Sequence, residues 1–206
     1  MKKISESTVR RLSLYLRFLQ EAAERGLDTI SSDELAQRGG TTSAQVRKDL
    51  SLFGSFGKRG LGYSVPELVR ELREILGLDQ SWRVALVGAG KIGSALFSYR
   101  DFQQRGFHIR AVFDSDPAKV GAAWGGLRVR HDEEMDRALA EEQIDIVIVA
   151  VPAEAAQGVV DRVVDAGVRA ILNFAPIRLR VPSTVSLRNV DMAVELEGLA
   201  YSIHQR

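Results

Sequence analysis

The sequence predicts an α/β protein in two parts, an N-terminal winged helix-turn-helix domain followed by a Rossmann-like, doubly wound domain that closes on a separate C-terminal helix. Three observations carry this expectation. Val84 to Val87 is an apolar run that breaks into Gly88-Ala89-Gly90-Lys91-Ile92-Gly93 and resumes with helical spacing at Ala95 and Leu96, the pattern of strand, glycine turn and helix. A second strand, His108 to Asp114, ends on a carboxylate about twenty residues beyond the last glycine. Ahead of Trp82, short amphipathic helices alternate with Gly, Ser and Thr clusters and lead into a stretch of glycines, aromatics and bases. The expected bounds are 1–79 for the first domain, 80–190 for the second and 191–206 for the C-terminal helix.

A chain of 206 residues is long enough for two modest cores. It has no cysteine, so disulfides and thiolate chemistry are excluded and a reducing compartment fits. No apolar stretch reaches membrane-spanning length and Met1-Lys2-Lys3-Ile4-Ser5-Glu6 lacks a signal-peptide core, so a cytoplasmic protein without a membrane partner is expected. Lysine plus arginine (28) nearly balance aspartate plus glutamate (27), so any attraction to a polyanion has to be local. Between Ala44 and Tyr63, Arg47, Lys48, Lys58 and Arg59 face a single acid, Asp49.

In chain order, Val9, Leu12, Leu16, Leu19 and Ala23 recur at helical spacing from Ser7 to Arg25, with Gly26 as the stop. Ser31 and Glu34 form an S-x-x-E capping pattern for a short second helix that ends at Gly39-Gly40. A third helix, about 44 to 53, follows the caps Thr41, Thr42 and Ser43; it buries Val46, Leu50 and Phe53 and turns Gln45, Arg47, Lys48 and Ser51 outward. The pair reads as a helix-turn-helix. Gly54 to Tyr63 reads as a small β-hairpin wing carrying Lys58, Arg59 and Gly60, and a fourth helix starts at Ser64 with Pro66 in its first turn and Glu67 completing a capping box. Such a domain presents its third helix to the major groove of double-stranded DNA and its wing to the backbone or minor groove. The expected DNA-facing set is Ser43, Gln45, Arg47, Lys48, Ser51, Lys58, Arg59, Gly60 and Tyr63. A protein-binding module is the weaker alternative, because the exposed face of the third helix is polar and basic where such a module needs apolar anchors.

In the second part, Gly88 permits the tight turn, Gly90 lets backbone approach a pyrophosphate and Gly93 lets the helix pack on the strand, while Ala89, Lys91 and Ile92 line the phosphate turn. Asp114 is placed to bind a ribose diol. No arginine directly follows it and Asp116 adds a second acid, which favours NADH and NAD+ over their 2′-phosphorylated counterparts. The β-branched run Asp145 to Val151 reads as a strand buried on both faces. It is followed by a helix Ala153 to Ala166, a strand Ala170 to Phe174, a strand near Ser186 to Val190 and a last helix with Met192, Leu196, Leu199, Ala200 and Ile203 on one face. Ligands of such sheets sit at the carboxyl ends of the strands, which brings in Val151, Pro152, Asn173, Phe174, Ala175 and Pro176. Asn173 either orients a nicotinamide amide or only caps its turn. Tyr99, about two turns into the helix after Gly93, either packs in the core or meets the nicotinamide half. No metal or catalytic constellation is expected, since His108, His131 and His204 lack partner patterns.

These strings resemble the Rex family of bacterial redox-sensing repressors. The resemblance rests on Arg11-Leu12 and Tyr15-Leu16-Arg17, Gln45-Val46-Arg47-Lys48-Asp49-Leu50-Ser51, and Gly57-Lys58-Arg59-Gly60-Leu61-Gly62-Tyr63. It continues through the Gly88 to Gly93 turn, Phe113-Asp114, Val151-Pro152, Ile171-Leu172-Asn173-Phe174-Ala175-Pro176 and Asn189-Val190-Asp191. The resemblance implies a homodimer with a swapped C-terminal helix that binds palindromic operator DNA when NADH is scarce and releases it when NADH binds. It further implies a switch in which Arg11 and Asp191 form a charge pair in one state only. One departure is expected at the C-terminal end, where the sequence runs only a few residues past Ile203. Two other readings are an NAD-dependent dehydrogenase, disfavoured by the lack of room for a substrate domain, and a winged-helix repressor that senses another nucleotide such as coenzyme A.

Overall fold

The structure is a computed structural model that describes residues 4–57 and 61–205. It divides into two compact units, Met1–Gln80 and Ser81–Arg206. The first opens with α1 (Glu6–Glu24), whose N-cap Ser5 accepts the Thr8 N–H and whose exit is turned by Gly26 at φ 75°. Its buried face is Leu12, Tyr15, Leu16, Leu19 and Ala22; Val9 and Ala23, expected inward, are exposed. A short strand, β1 (Thr29–Ile30), precedes α2 (Ser32–Gly39), where the expected capping box forms: Ser31 accepts the Glu34 N–H, and Glu34 accepts the Ser31 N–H at 2.7 Å. Then comes α3 (Ser43–Ser51), capped by Thr42, which buries Val46, Asp49 and Leu50; Phe53 lies beyond its end.

The wing differs from expectation. Among the described residues Gly54 to Gly57 and Leu61 to Gly62 form no strand. β2 (Tyr63–Ser64) instead pairs antiparallel with β1, so the short strand before α2 supplies the partner expected within a hairpin. Lys58, Arg59 and Gly60 lie outside the described residues. α4 (Val65–Ile75) starts at Ser64 with Pro66 in its first turn, but no side chain caps it, so the expected box with Glu67 does not form. Leu68 and Leu72 of α4 and Leu12, Leu16 and Leu19 of α1 meet in one core.

The second unit is a seven-stranded sheet. Its elements are β3 (Trp82–Val87), α5 (Lys91–Phe97), α6 (Arg100–Gln104), β4 (Phe107–Asp114), β5 (Ala123–Trp124), β6 (Leu127–His131), α7 (Met135–Glu141) after a 3-10 turn Asp132–Glu134, β7 (Ile146–Val149), α8 (Ala153–Asp165), β8 (Ala170–Asn173), β9 (Ser186–Asn189) and α9 (Met192–His204). The spatial order is β5-β6-β4-β3-β7-β8-β9, all parallel except the antiparallel edge strand β5, which the sequence reading missed. Leaving β5 aside, this is the 3-2-1-4-5-6 order of dinucleotide-binding sheets. β3 lies at the centre with β4 and β7 on its two sides, so the crevice at the topological switch falls just past Val87. No helix among the described residues is long and apolar enough to cross a membrane. No residue of α9 is buried; Leu196 and Ile203 are 66% and 74% exposed.

Candidate functional site

The glycine turn after β3 is built as its spacing demands. Gly88 has φ 106°, and a Cβ there would collide with the Ala150 carbonyl, while one on Gly93 would collide with the Gly88 carbonyl. Gly90 is different, since a Cβ there meets no chain atom within 4 Å. Two glycines thus let chain approach chain, and the third faces open space. Gly90 is also the N-cap of α5 and offers no side chain to the first N–H groups of that helix. Lys91 and Ile92 are exposed beside it.

Asp114, at the carboxyl end of β4, is 8% exposed and ties the turn to the strand. Its Oδ2 accepts the Ala89 N–H at 2.7 Å, its Oδ1 accepts the Asp116 N–H at 2.8 Å, and Lys119 Nζ lies 3.2 Å from Oδ2. Burial alone would raise this carboxyl, but the N–H groups of Asp116 and Ala89 together with Lys119 outweigh burial and hold it below its ordinary value. It is therefore an ionised acceptor, as a ribose diol requires. The Lys119 ammonium also sits 3.5 Å from Asp116, so the two acids there are partly neutralised. Sequence reasoning missed this lysine; the signal was its place one turn past Asp116, whose carbonyl accepts the Lys119 N–H at 2.9 Å.

Several expected site residues are placed differently. Asn173 is fully buried; its Nδ2 donates to the Ala175 carbonyl and to Asn189 Oδ1, both at 3.0 Å, and its Oδ1 accepts the Ala175 N–H at 2.9 Å. The amide is spent on its turn, which is the capping role of the two considered. Ala175 is buried, whereas Val151, Pro152, Phe174 and Pro176 lie at least partly exposed at the carboxyl ends of β7 and β8. Tyr99 does not lie within the helix after Gly93. α5 stops at Phe97, and Tyr99 is the N-cap of α6, 51% exposed and edge-on to Phe102, so core packing is ruled out. Among the described residues no group of His, Asp or Glu could hold a metal.

In the first unit, Gln45, Arg47, Lys48 and Ser51 lie on α3 with at least partial exposure, and Ser43 opens the helix. Arg47 donates to Ser32 Oγ at 2.9 Å, at the start of α2. Tyr63, expected to face DNA, is instead 8% exposed and part of the core, because β2 turns it inward. Asp49, the one acid of the basic stretch, is 1% exposed and so adds no negative charge to that surface. Arg11 binds it bidentately at 2.6 and 2.7 Å, Tyr15 Oη donates to it at 3.1 Å and Gln45 Nε2 at 2.8 Å. The guanidinium assigned to a switch is thus held within its own unit, while Asp191 Oδ1 caps α9 by accepting the Ala193 N–H at 3.0 Å.

Both halves and the whole chain match known proteins. The family model of a putative DNA-binding protein N-terminus matches residues 3–51, and that of a CoA binding domain matches residues 79–177. A redox-sensing transcriptional repressor Rex of Desulforamulus reducens is 48% identical over 201 residues, 98% of this chain and 96% of the relative. The chain belongs to the Rex family. A Rex repressor of Carboxydothermus hydrogenoformans is 48% identical over 203 residues, covering 98% of each chain. RSP, a Rex-family repressor, has been solved with β-NAD+ and operator DNA; that structure matches with a TM-score of 0.95 at 38% identity over 100% of this chain and 94% of the other. RSP with β-NADH matches with a TM-score of 0.91 at 36% identity, over 100% and 96%. The winged helix and the nucleotide fold are thus the architecture of Rex repressors.

Proposed function

We propose that this chain is a transcriptional repressor that senses the balance of NADH and NAD+, binding palindromic operator DNA as a homodimer when NADH is low and releasing it when NADH binds. The observation that carries this reading is the ionised Asp114 clamped to the glycine turn beside an open Gly90, in a chain similar over its whole length to a repressor solved with each dinucleotide. In this reading Gly88, Ala89, Gly90, Lys91, Ile92 and Gly93 hold the pyrophosphate and Asp114 the adenosine ribose. Val151, Pro152, Phe174, Ala175, Pro176 and Tyr99 form the nicotinamide end, where apolar groups favour the neutral reduced ring over the cationic oxidised one. Ser43, Gln45, Arg47, Lys48 and Ser51 address the major groove, and Lys58, Arg59 and Gly60 the backbone or minor groove. The exposed apolar residues of α9 supply the dimer contact, since a helix with this much apolar surface in water needs a partner. A pair between Arg11 and Asp191 in one state is the proposed switch, on the condition that Arg11 first leaves Asp49.

Titration with NADH, NAD+, NADPH and an acyl-CoA, while following a labelled palindromic duplex, tests the reading. Release by NADH alone at the lowest concentration is expected. Release by acyl-CoA in preference would move the protein to the sensors of another nucleotide. Turnover of a reduced dinucleotide would make it a dehydrogenase.

A further inference from the structure

Gln45 stands on the exposed side of α3, yet its amide is not free to turn. Its Nε2 lies 2.8 Å from Asp49 Oδ1, one turn on in the same helix. Asp49 is 1% exposed and surrounded by donors only: Arg11 Nε and Nη2, Tyr15 Oη and Gln45 Nε2. Burial works to raise this carboxyl, but the bonds from Arg11 and Gln45, the Arg11 charge and Tyr15 prevail and hold it below its ordinary value. Burial first, and the Asp49 charge next, push Tyr15 up to about 12, so its hydroxyl stays a donor. An ionised carboxylate only accepts, so the amide nitrogen of Gln45, and not its oxygen, must face Asp49. Gln45 Oε1 makes no hydrogen bond among the described residues and is not a buried orphan, which leaves it open to solvent.

We propose that Asp49 is a positioning residue that presets Gln45 with Oε1 outward, so that α3 selects adenine at one position of each operator half-site. Oε1 accepts from adenine N6, and the second hydrogen of Nε2 donates to N7. Guanine presents two acceptors at the same places, and an outward Oε1 opposes them. In an unrestrained glutamine the amide could flip to suit either purine. The buried carboxylate removes that choice, and Arg11, reaching across from α1, keeps the carboxylate itself in place. This inference rests on the repressor reading and adds to it which base chemistry the third helix reads.

The test is selection of bound duplexes from a randomised pool by the full-length protein, its Gln45→Ala variant and its Asp49→Asn variant. The parent should enrich adenine about tenfold over guanine at one position of each half-site, the discrimination of one bidentate contact. Gln45→Ala should flatten that position alone. In Asp49→Asn one oxygen becomes an N–H donor that opposes Arg11 Nε or Nη2, so the hold on the Gln45 amide loosens and the adenine preference at that position should fall toward parity with guanine while the other positions stay. If Gln45→Ala leaves every position unchanged, or a folded Asp49→Asn keeps the parent's adenine preference, the proposal is overturned. If the parent enriches no sequence at all, the repressor reading falls with it. Should Asp49→Asn not fold, the Gln45 side-chain amide of the parent carries the test. Solvent exchange slowed about tenfold by its bond to a charged acceptor supports the preset, and exchange at the rate of a free glutamine overturns it.

Discussion

Among the described residues each unit buries one aspartate, and the two are satisfied in opposite ways. Asp49 is closed in by side chains of its own unit, Arg11, Tyr15 and Gln45, which leave it 1% exposed. Asp114 is held by two backbone N–H groups and by Lys119, which is 40% exposed. A carboxylate saturated by packed side chains can only hold a shape. One held by fixed backbone donors and a single exposed cation keeps its orientation while a ligand approaches its outer lone pairs. Burial and ionisation alone therefore do not mark a binding carboxylate; the identity of its donors does.

The largest effect is expected at Asp49. Asp49→Ala leaves Arg11 and the Tyr15 hydroxyl facing an empty acceptor and should cost the winged helix about 3 kcal/mol, read from amide hydrogen exchange in α1 and α3. Little change there would mean that the network carries no stability. Acidification reaches the same bonds. The folded value of Asp49 lies below its unfolded value of about 3.9, so its contribution is complete above that range and is lost as pH falls through it toward the folded value. Thermal melts of the parent should decline from about pH 5 downward. Asp49→Asn should melt with a shallower pH dependence over the same window, and an unchanged slope would assign the loss to other carboxylates.

At the other aspartate the expected effects are on ligand binding. Asp114→Ala should weaken NADH about tenfold or more, as expected for losing hydrogen bonds to a charged group, and should narrow the gap to NADPH. The smallest expected effect is at Lys119. Lys119→Met removes the cation between Asp114 and Asp116 and should lower NADPH affinity about two- to fivefold more than NADH affinity, with the difference fading at high salt. Equal losses for both dinucleotides would show that the lysine only shapes the turn.

What the sequence made legible was local chemistry with fixed spacing. The glycine turn, Asp114 about twenty residues on, the Ser31 and Glu34 box and the β-branched β7 each follow from contacts within one short segment or from burial on both faces. What it concealed depends on partners far along the chain. The wing strand pairs with Thr29 and Ile30, which turns Tyr63 inward. Asp49 reads only as the one acid of a basic stretch until Arg11 and Tyr15 of α1 are brought over it. The break before Tyr99 has no proline or glycine to announce it, and β5 is too short to show an alternation. Asn173 stays open between two roles in the sequence because the bond that commits it reaches Asn189 on the neighbouring strand.

A ligand held by Asp114 is expected to govern what α3 does on DNA. The most direct measurement follows a labelled palindromic duplex bound to the parent protein and to Asp114→Ala as NADH is added. Both proteins should bind the duplex equally well without NADH, and the variant should need about tenfold more NADH for half release. Release of both at the same NADH concentration, or retention of the duplex by the parent at saturating NADH, would contradict it.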